Sequence, residues 1–395
     1  MNCIMRRVIY FALTVFIGSC GGNPEIKQIE QENLIKTIPI VSKPDSILTK
    51  ISDIASDIEY IHLQPSGNFQ VQWIDKIVQH NDKLYINSIF NILCFDDKGH
   101  FLYESYGNKK EKNENVVAIY DFDINARDSS LHVLYGNKIL RFKITGSGFE
   151  YLKTLKLGKL SPSKLDFVPR CDKILLSSTK VEGFELTLHM LINLSGETLS
   201  YKRNYFARFN PSKNGIWDEI IHYQFDNKIY FRERFNDTIF SIDPATNYFT
   251  AELILSSKIS STNSENINDP EYYKILPNVT NIFETELFLY YSYSFGESDY
   301  KIFYAKDENR KFEIDQEKGV LKDDIGGGPD FDPKFCSDDK MYSWISARDF
   351  IKYTGSEDFT EAQVQNTKQH VVLKKLANSL KETDNPVLVL VSLKK

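Results

Sequence analysis

The chain has 395 residues, 42% of them hydrophobic and 26% charged, enough apolar side chain for a sizeable core with an ordinary charge content. A formal net charge of −6 argues against a nucleic-acid partner, which needs clustered lysine and arginine to neutralise phosphates. With 22 Tyr, 27 Phe and only 4 Met, the composition favours pleated, half-buried surfaces over helices.

Residues 1–20 read MNCIMRRVIYFALTVFIGSC. Arg6 and Arg7 precede an apolar run of ten, residues 8–17, too short to cross about 30 Å of hydrocarbon. The run reads as a signal peptide. Ile17-Gly18-Ser19-Cys20 resembles a bacterial lipobox, which implies cleavage after Ser19 and acylation of Cys20. Each buried CH₂ of a lipid chain contributes about 0.8 kcal/mol, and two or more chains anchor stably. The expected organisation is a signal peptide at 1–19, a polar tether at 20–36 and one folded domain at 37–395. The protein is expected at the cell envelope, lipid-anchored in the outer membrane and facing either side of it.

One kind of segment then recurs: a turn residue, often followed by Lys, leading into alternating apolar residues. It occurs as Asp82-Lys83-Leu84-Tyr85-Ile86, Ser129-Ser130-Leu131-His132-Val133 and Asp172-Lys173-Ile174-Leu175-Leu176. It returns as Asn227-Lys228-Ile229-Tyr230-Phe231, Glu286-Leu287-Phe288-Leu289 and Asp339-Lys340-Met341-Tyr342-Ser343-Trp344. The first apolar positions, 84, 131, 174, 229, 287 and 341, are 43 to 58 residues apart. Second strands follow at 91–96, 138–144, 238–243 and 301–305, then turns rich in Gly, Asn and Asp, then third strands at 101–103, 149–155 and 249–255. Six such units predict an all-β, six-bladed β-propeller.

The last unit differs. After its first strand at 340–346, a second is expected near 349–353. Residues 365–381 then carry Val372, Leu376 and Leu380 on one face, predicting one C-terminal amphipathic helix inserted in the last blade. A buried strand follows from Val387. The unit lacks a fourth strand of its own, and Ile58-Glu59-Tyr60-Ile61-His62-Leu63 near the start of the domain has no unit of its own. Residues 58–63 are therefore expected to pair with 387–393 and close the ring, since open sheet edges invite aggregation.

Over residues 37–395 the chain resembles the six-bladed β-propeller lipoproteins of gut-dwelling anaerobic bacteria, a domain-of-unknown-function type related to NHL- and TolB-like propellers. The resemblance rests on Ile51-Ser52-Asp53 through Asp57-Ile58-Glu59-Tyr60-Ile61, on Phe95-Asp96-Asp97-Lys98-Gly99-His100-Phe101, and on Gly326-Gly327-Gly328-Pro329-Asp330-Phe331. Tyr342-Ser343-Trp344-Ile345-Ser346-Ala347 and Asp384-Asn385-Pro386-Val387-Leu388 also match. It implies the propeller fold and the lipid anchor but no defined activity. The loop Gly107-Asn108-Lys109-Lys110-Glu111-Lys112-Asn113-Glu114 departs from the Gly/Pro-rich loop of many members.

No HExxH, GxSxG or P-loop is present, and no catalytic residue or cofactor is named from the sequence. His62, His80, His100, His132, His189, His222 and His370 are scattered singly and read as structural, with no metal site. Residues 323–332 hold four carboxylates around a glycine turn; Ca²⁺ is conceivable there, but the spacing is not that of an EF-hand and a solvated turn is expected. Cys94 reads as a small buried hydrophobe, and a disulfide among Cys94, Cys171 and Cys336 stays open.

The long loops 202–217, 258–281 and 316–338 are expected to crowd one face and form its main pocket. Arg208, Trp217 and Asp330 are the candidate ligand contacts. Three functions compete: a binding or scaffolding module for a glycan, peptide or envelope protein, an enzyme acting on glycans or other polymers at the axial mouth, and a structural partner of an envelope complex.

Overall fold

A computed structural model describes residues 35–64, 70–71, 74–105, 118–178, 187–203, 220–234, 236–257, 276–337 and 340–394. The leader with Cys20, and both Arg208 and Trp217, lie outside the described residues.

Six sheets follow one another along the chain, and together they make a six-bladed β-propeller. Blade 1 is Ile77–His80, Lys83–Ser88, Asn91–Asp96 and Phe101–Glu104. Blade 2 is Asp121–Asn125, Ser130–Tyr135, Lys138–Thr145 and Gly148–Lys156. Blade 3 is Lys164–Phe167, Lys173–Ser177, Thr187–Asn193 and Thr198–Arg203. Blades 4 and 5 start with Ile220–Phe225 and Asn278–Glu284 and end with Phe249–Ser256 and Arg310–Ile314. The first strands of successive blades touch around the axis.

Every recurring segment of the sequence is therefore the second strand of a blade, and the innermost strand before it was not recognised. The reason is packing. A second strand is covered on both faces, so Lys173–Ser177 is buried at every position after the first and reads as an apolar run. Six apolar layers fill the gaps between neighbouring blades; Leu175, Leu191, Ile229 and Phe231 form part of the one between blades 3 and 4. Innermost strands such as Asp121–Asn125 and Lys164–Phe167 mix polar and apolar residues. Asn81-Asp82 and Asp226-Asn227 turn from first to second strand with positive φ at both residues, as tight hairpins of that hand require.

Blade 6 consists of Phe335–Ser337, Lys340–Ile345, Val387–Leu393 and the N-terminal strand Ala55–His62. The expected closure is present: Val387 pairs with His62, Val389 with Tyr60 and Val391 with Ile58. The turn before Phe101 seats against this joint. Gln64 N donates to Gly99 O at 2.8 Å, and a Cβ on Gly99 would stand 2.2 Å from His62 O. Upstream of the closing strand, Lys36–Pro39 adds in parallel to the outer strand of blade 4, and Ser46–Leu48 to that of blade 5. The N-terminal segment is thus a belt. Lys311 holds it, donating through Nζ to Ser42 Oγ at 2.7 Å and to Pro39 O, while its amide donates to Asp45 Oδ2 at 2.7 Å.

The expected strand at 349–353 is instead a helix, α1 (Ala347–Thr354). Ser346 caps it by accepting from Asp349 N, and Ala347, Phe350 and Thr354 face inward at helical spacing. Two more helices follow, α2 (Glu357–Thr360) and α3 (Thr367–Ser379), where one was expected. The buried stripe of α3 is Leu373 and Ala377, one position later than predicted; Val372 is 58% exposed. Valine and leucine alternate so closely there that the sequence alone does not choose the face. Val387–Leu393, which follows the helices in the chain, pairs with Lys340–Ile345 across the gap. Cys94 is fully buried between Tyr85 and Phe122, and no disulfide joins Cys94, Cys171 and Cys336.

Leu388 is fully buried in the layer between blades 6 and 1. Leu388→Ala is expected to cost about 2–5 kcal/mol of unfolding free energy, and Val372→Ala less than about 0.5 kcal/mol, measured by urea denaturation. Equal losses at the two positions would contradict this assignment of the core.

Candidate functional site

The axis of the propeller encloses an open cavity of about 950 Å³. It is lined by the innermost strands of the blades and by the residues that lead into and out of them. Seven carboxylates and three lysines line it, together with His222 and the aromatic residues Tyr223, Phe225, Phe283, Phe335 and Trp344. Charged and aromatic side chains thus converge on one concave surface, the kind of place where ligands bind.

The polar groups arise from a problem of the fold. The innermost strand of a blade has one edge without a strand neighbour, so its main-chain groups need other partners. At blade 3 the neighbours supply them. Asp121 Oδ2 accepts from Leu165 N at 2.8 Å and Asp123 Oδ2 from Phe167 N at 2.8 Å. Lys76 Nζ donates to Leu165 O at 3.1 Å, and Gln224 Nε2 to Phe167 O at 3.4 Å. Blades 1, 2 and 4 thus converge on one strand of blade 3.

Lys76 is the hub of charge. Its ammonium lies 2.8 Å from Asp166 Oδ1 and 3.1 Å from Asp121 Oδ1. Burial opposes its charge, but Asp121, Asp166 and Asp123 more than offset this and raise its pKa. Burial likewise works against the Asp166 carboxylate, and Lys76 and His222 overcome it, holding its pKa below the usual range. Asp123 has no such partner. Burial, with Asp166 nearby, pushes its carboxyl up despite Lys76.

His222 Nδ1 lies 2.6 Å from Asp166 Oδ2, and its Nε2 lies 2.8 Å from Ser177 Oγ. The order is that of a nucleophilic triad. Its surroundings are not, because Ser177 is fully buried and its hydroxyl is also 2.7 Å from His189 Nδ1. The hydroxyl sits between two imidazoles and connects them.

Among the sequence candidates, Asp330 is exposed and is not part of the cavity lining. The acidic glycine turn beside it is buried, contrary to the expectation of a solvated loop. Asp323 accepts from the amides of Ile325, Gly326 and Gly328 and from Tyr60 OH at 2.8 Å. Asp324 accepts from Ser52 and from Gln365 Nε2. These carboxylates clasp the closing strand, the belt and the helical segment together, and a Cβ on Gly328 would overlap Tyr60. Of the long loops, only parts are described; Thr280, Asn281 and residues 334–337 do line the cavity. No group of three or more His, Cys, Asp or Glu with metal-holding geometry occurs among the described residues. Asp121, Asp123, Asp166 and His222 were missed because their alternation reads as an exposed edge strand. A signal was available: Asp121-Phe122-Asp123-Ile124-Asn125 and Lys164-Leu165-Asp166-Phe167 each stand just before a recurring second strand.

Residues 35–392 match the family described as a domain of unknown function, DUF4934. The chain belongs to that family. A crystal structure of a Bacteroides fragilis NCTC 9343 protein described as exported shares the fold, with a TM-score of 0.64 at 17% identity over 91% of this chain and 99% of that one. The extracellular domain of a B. thetaiotaomicron protein described as a one-component system aligns less well, with a TM-score of 0.37 at 16% identity over 64% of this chain and 29% of that one. No curated protein matches the chain.

Lys76→Met leaves Asp121 and Asp166 without their ammonium. With its side chain 25% exposed, the expected loss at pH 7.5 is about 1–3 kcal/mol. Without Lys76 the folded state binds protons more readily than the unfolded state does, so the deficit should shrink as pH falls towards 5. Urea unfolding at both pH values checks this, and a deficit independent of pH would show that the ammonium does not compensate these carboxylates.

Proposed function

We propose that this protein is an exported binding module, lipid-anchored through Cys20 at the outer membrane, whose ligand enters the axial cavity. The observation that carries this reading is the cavity itself: about 950 Å³, framed by aromatic rings, with carboxylates already held in place by the main chain of blade 3. Groups fixed before the ligand arrives lose little freedom on binding. The excess of carboxylates over lysines favours a polar ligand, a peptide or glycan, that presents hydrogen-bond donors or a positive charge. The enzymatic alternative lacks support from Ser177, whose burial keeps the hydroxyl from a substrate.

Location rests on the short apolar leader and the lipobox-like Ile17-Gly18-Ser19-Cys20. The fold relative from B. fragilis is also described as exported. No helix among the described residues is long and apolar enough to cross a membrane. On this reading the helical segment belongs to the last blade as its cover, because Phe350, Phe359 and Leu373 pack against Val387 and Tyr60.

Two experiments test the reading. Glycan and peptide arrays probed with the chain lacking residues 1–20 should yield a ligand. Gln224→Trp, which fills the cavity from an exposed position on its wall, should then weaken that ligand at least tenfold by calorimetry. Failure to retain any ligand, or undiminished binding by the Trp variant, overturns the axial site. For the anchor, Cys20→Ala should move the protein from the membrane to the soluble fraction; a variant that stays membrane-bound is anchored elsewhere.

A further inference from the structure

From the cavity wall inward, five side chains of blades 3 and 4 form an unbroken row. Asp166 Oδ2 is 2.6 Å from His222 Nδ1, and His222 Nε2 is 2.8 Å from Ser177 Oγ. Ser177 Oγ is 2.7 Å from His189 Nδ1, and His189 Nε2 is 3.1 Å from Glu233 Oε1. The row therefore has four links, and each link needs one hydrogen.

The hydrogens can be counted. Ionised carboxylates only accept, a neutral imidazole donates once and a hydroxyl donates once. Two neutral imidazoles and Ser177 supply three hydrogens for four links. In the neutral row one pair of lone pairs must face each other, in a row where His189 and Ser177 are fully buried. A fourth proton completes the row.

We propose that this row is a buried proton-binding site, which holds one proton beyond those of its neutral residues, shares it between His222 and His189 through Ser177, and feels the charge in the axial cavity. Two carboxylates end the row, and each also holds an ammonium. The ends are capped by Lys76 on Asp166 and by Lys202, whose Nζ is 2.6 Å from Glu233 Oε1. Asp121 adds negative charge from blade 2, whereas burial favours the neutral carboxyl of Asp123, and Arg232 adds positive charge at the strand position next to Glu233. Glu233 stays ionised: burial opposes its charge, but His189 and Lys202 prevail and lower its pKa. Burial pushes the His189 imidazole down to about 4, with Glu233 only partly restoring it. In this proposal the extra proton rests on His222, the ring that lines the cavity and reaches Asp166.

In that state His222 donates to both Asp166 and Ser177, Ser177 donates to His189 Nδ1, and His189 Nε2 donates to Glu233. Transfer takes two hops: the Nε2 proton of His222 moves to Ser177 Oγ as the hydroxyl proton moves to His189 Nδ1. No other bond changes. Gln224 is two residues from His222 on the same strand, so both side chains point to one side, about 7 Å apart. A charge placed at Gln224 acts on the row across that distance.

The test uses the chain lacking residues 1–20, labelled with ¹⁵N-histidine, and follows the ring nitrogens of His222 and His189 from pH 4.5 to 8.5. At pH 6 the wild type should show His222 as imidazolium and His189 as the Nε2–H tautomer. Ser177→Ala leaves two links and two hydrogens, so the His222 imidazolium should titrate away at least one pH unit lower. Ser177→Thr keeps the hydroxyl and should restore the wild-type behaviour. Gln224→Lys should lower the His222 midpoint by roughly half a pH unit, and Gln224→Glu should raise it. Two neutral rings at pH 6 in the wild type, or an unmoved titration in a folded Ser177→Ala protein, overturn the proton site. Identical midpoints in Gln224→Lys and Gln224→Glu overturn its link to the cavity. None of these readouts needs a ligand, so they stand apart from the array experiment.

Discussion

The structure depends on one ladder of main-chain hydrogen bonds, that between Ala55–His62 and Val387–Leu393. A propeller built from one chain has a free end at each side of its first and last blades. Here the last blade borrows its outer strand from the start of the domain, and the ring becomes continuous. The two partners are more than three hundred residues apart, yet the entropy of closing a loop grows only with the logarithm of its length. The local cost is met by burial, since Val387, Leu388 and Val391 are fully enclosed between blades and helices. Non-local pairing of this kind is slow to form.

Three further features serve the same joint. The belt ahead of the closing strand pairs with the C-terminal part of the outer strands of blades 4 and 5, which takes up part of those edges. The Gly99 turn of blade 1 packs on the end of the closing strand. The buried carboxylate of Asp323 ties Tyr60 of that strand to the glycine loop, and Asp324 ties Ser52 to Gln365 ahead of α3. The acidic glycine motif is thereby explained as a structural clasp.

At the axis the same edge problem has a different outcome. There is no room for another strand, so side chains satisfy the inner edge of blade 3, and those side chains are charged. Asp121, Asp123 and Lys76 are needed for the fold, and they also make the cavity polar. The polar cavity at the centre of this propeller is a by-product of how its innermost strands are completed. The row from Asp166 to Glu233 extends that polarity between blades 3 and 4, into a layer that is otherwise apolar.

Much of the fold was legible in the chain. Apolar second strands recur because both their faces are buried, and hairpin turns recur because tight reversals need Asn, Asp or Gly. The unpaired stretch at 58–63 pointed to the closing strand, since a strand without a blade and a blade without a strand imply one another. The chain alone did not reveal the innermost strands, the helix in place of a strand at 349–353, or the face of α3. Short amphipathic segments fit several structures until neighbours select one. The axial groups were the least legible of all. His222, Ser177 and His189 belong to three strands and Asp166 and Glu233 to two more, spread over some seventy residues, and nothing in their spacing foretells a contact. Periodicity along a strand is a property of the sequence, because each side chain's face follows from its neighbours in the chain. Which side chains meet across two blades is decided only by the rotation of one blade against the next, and that rotation is set by the packing of the whole ring.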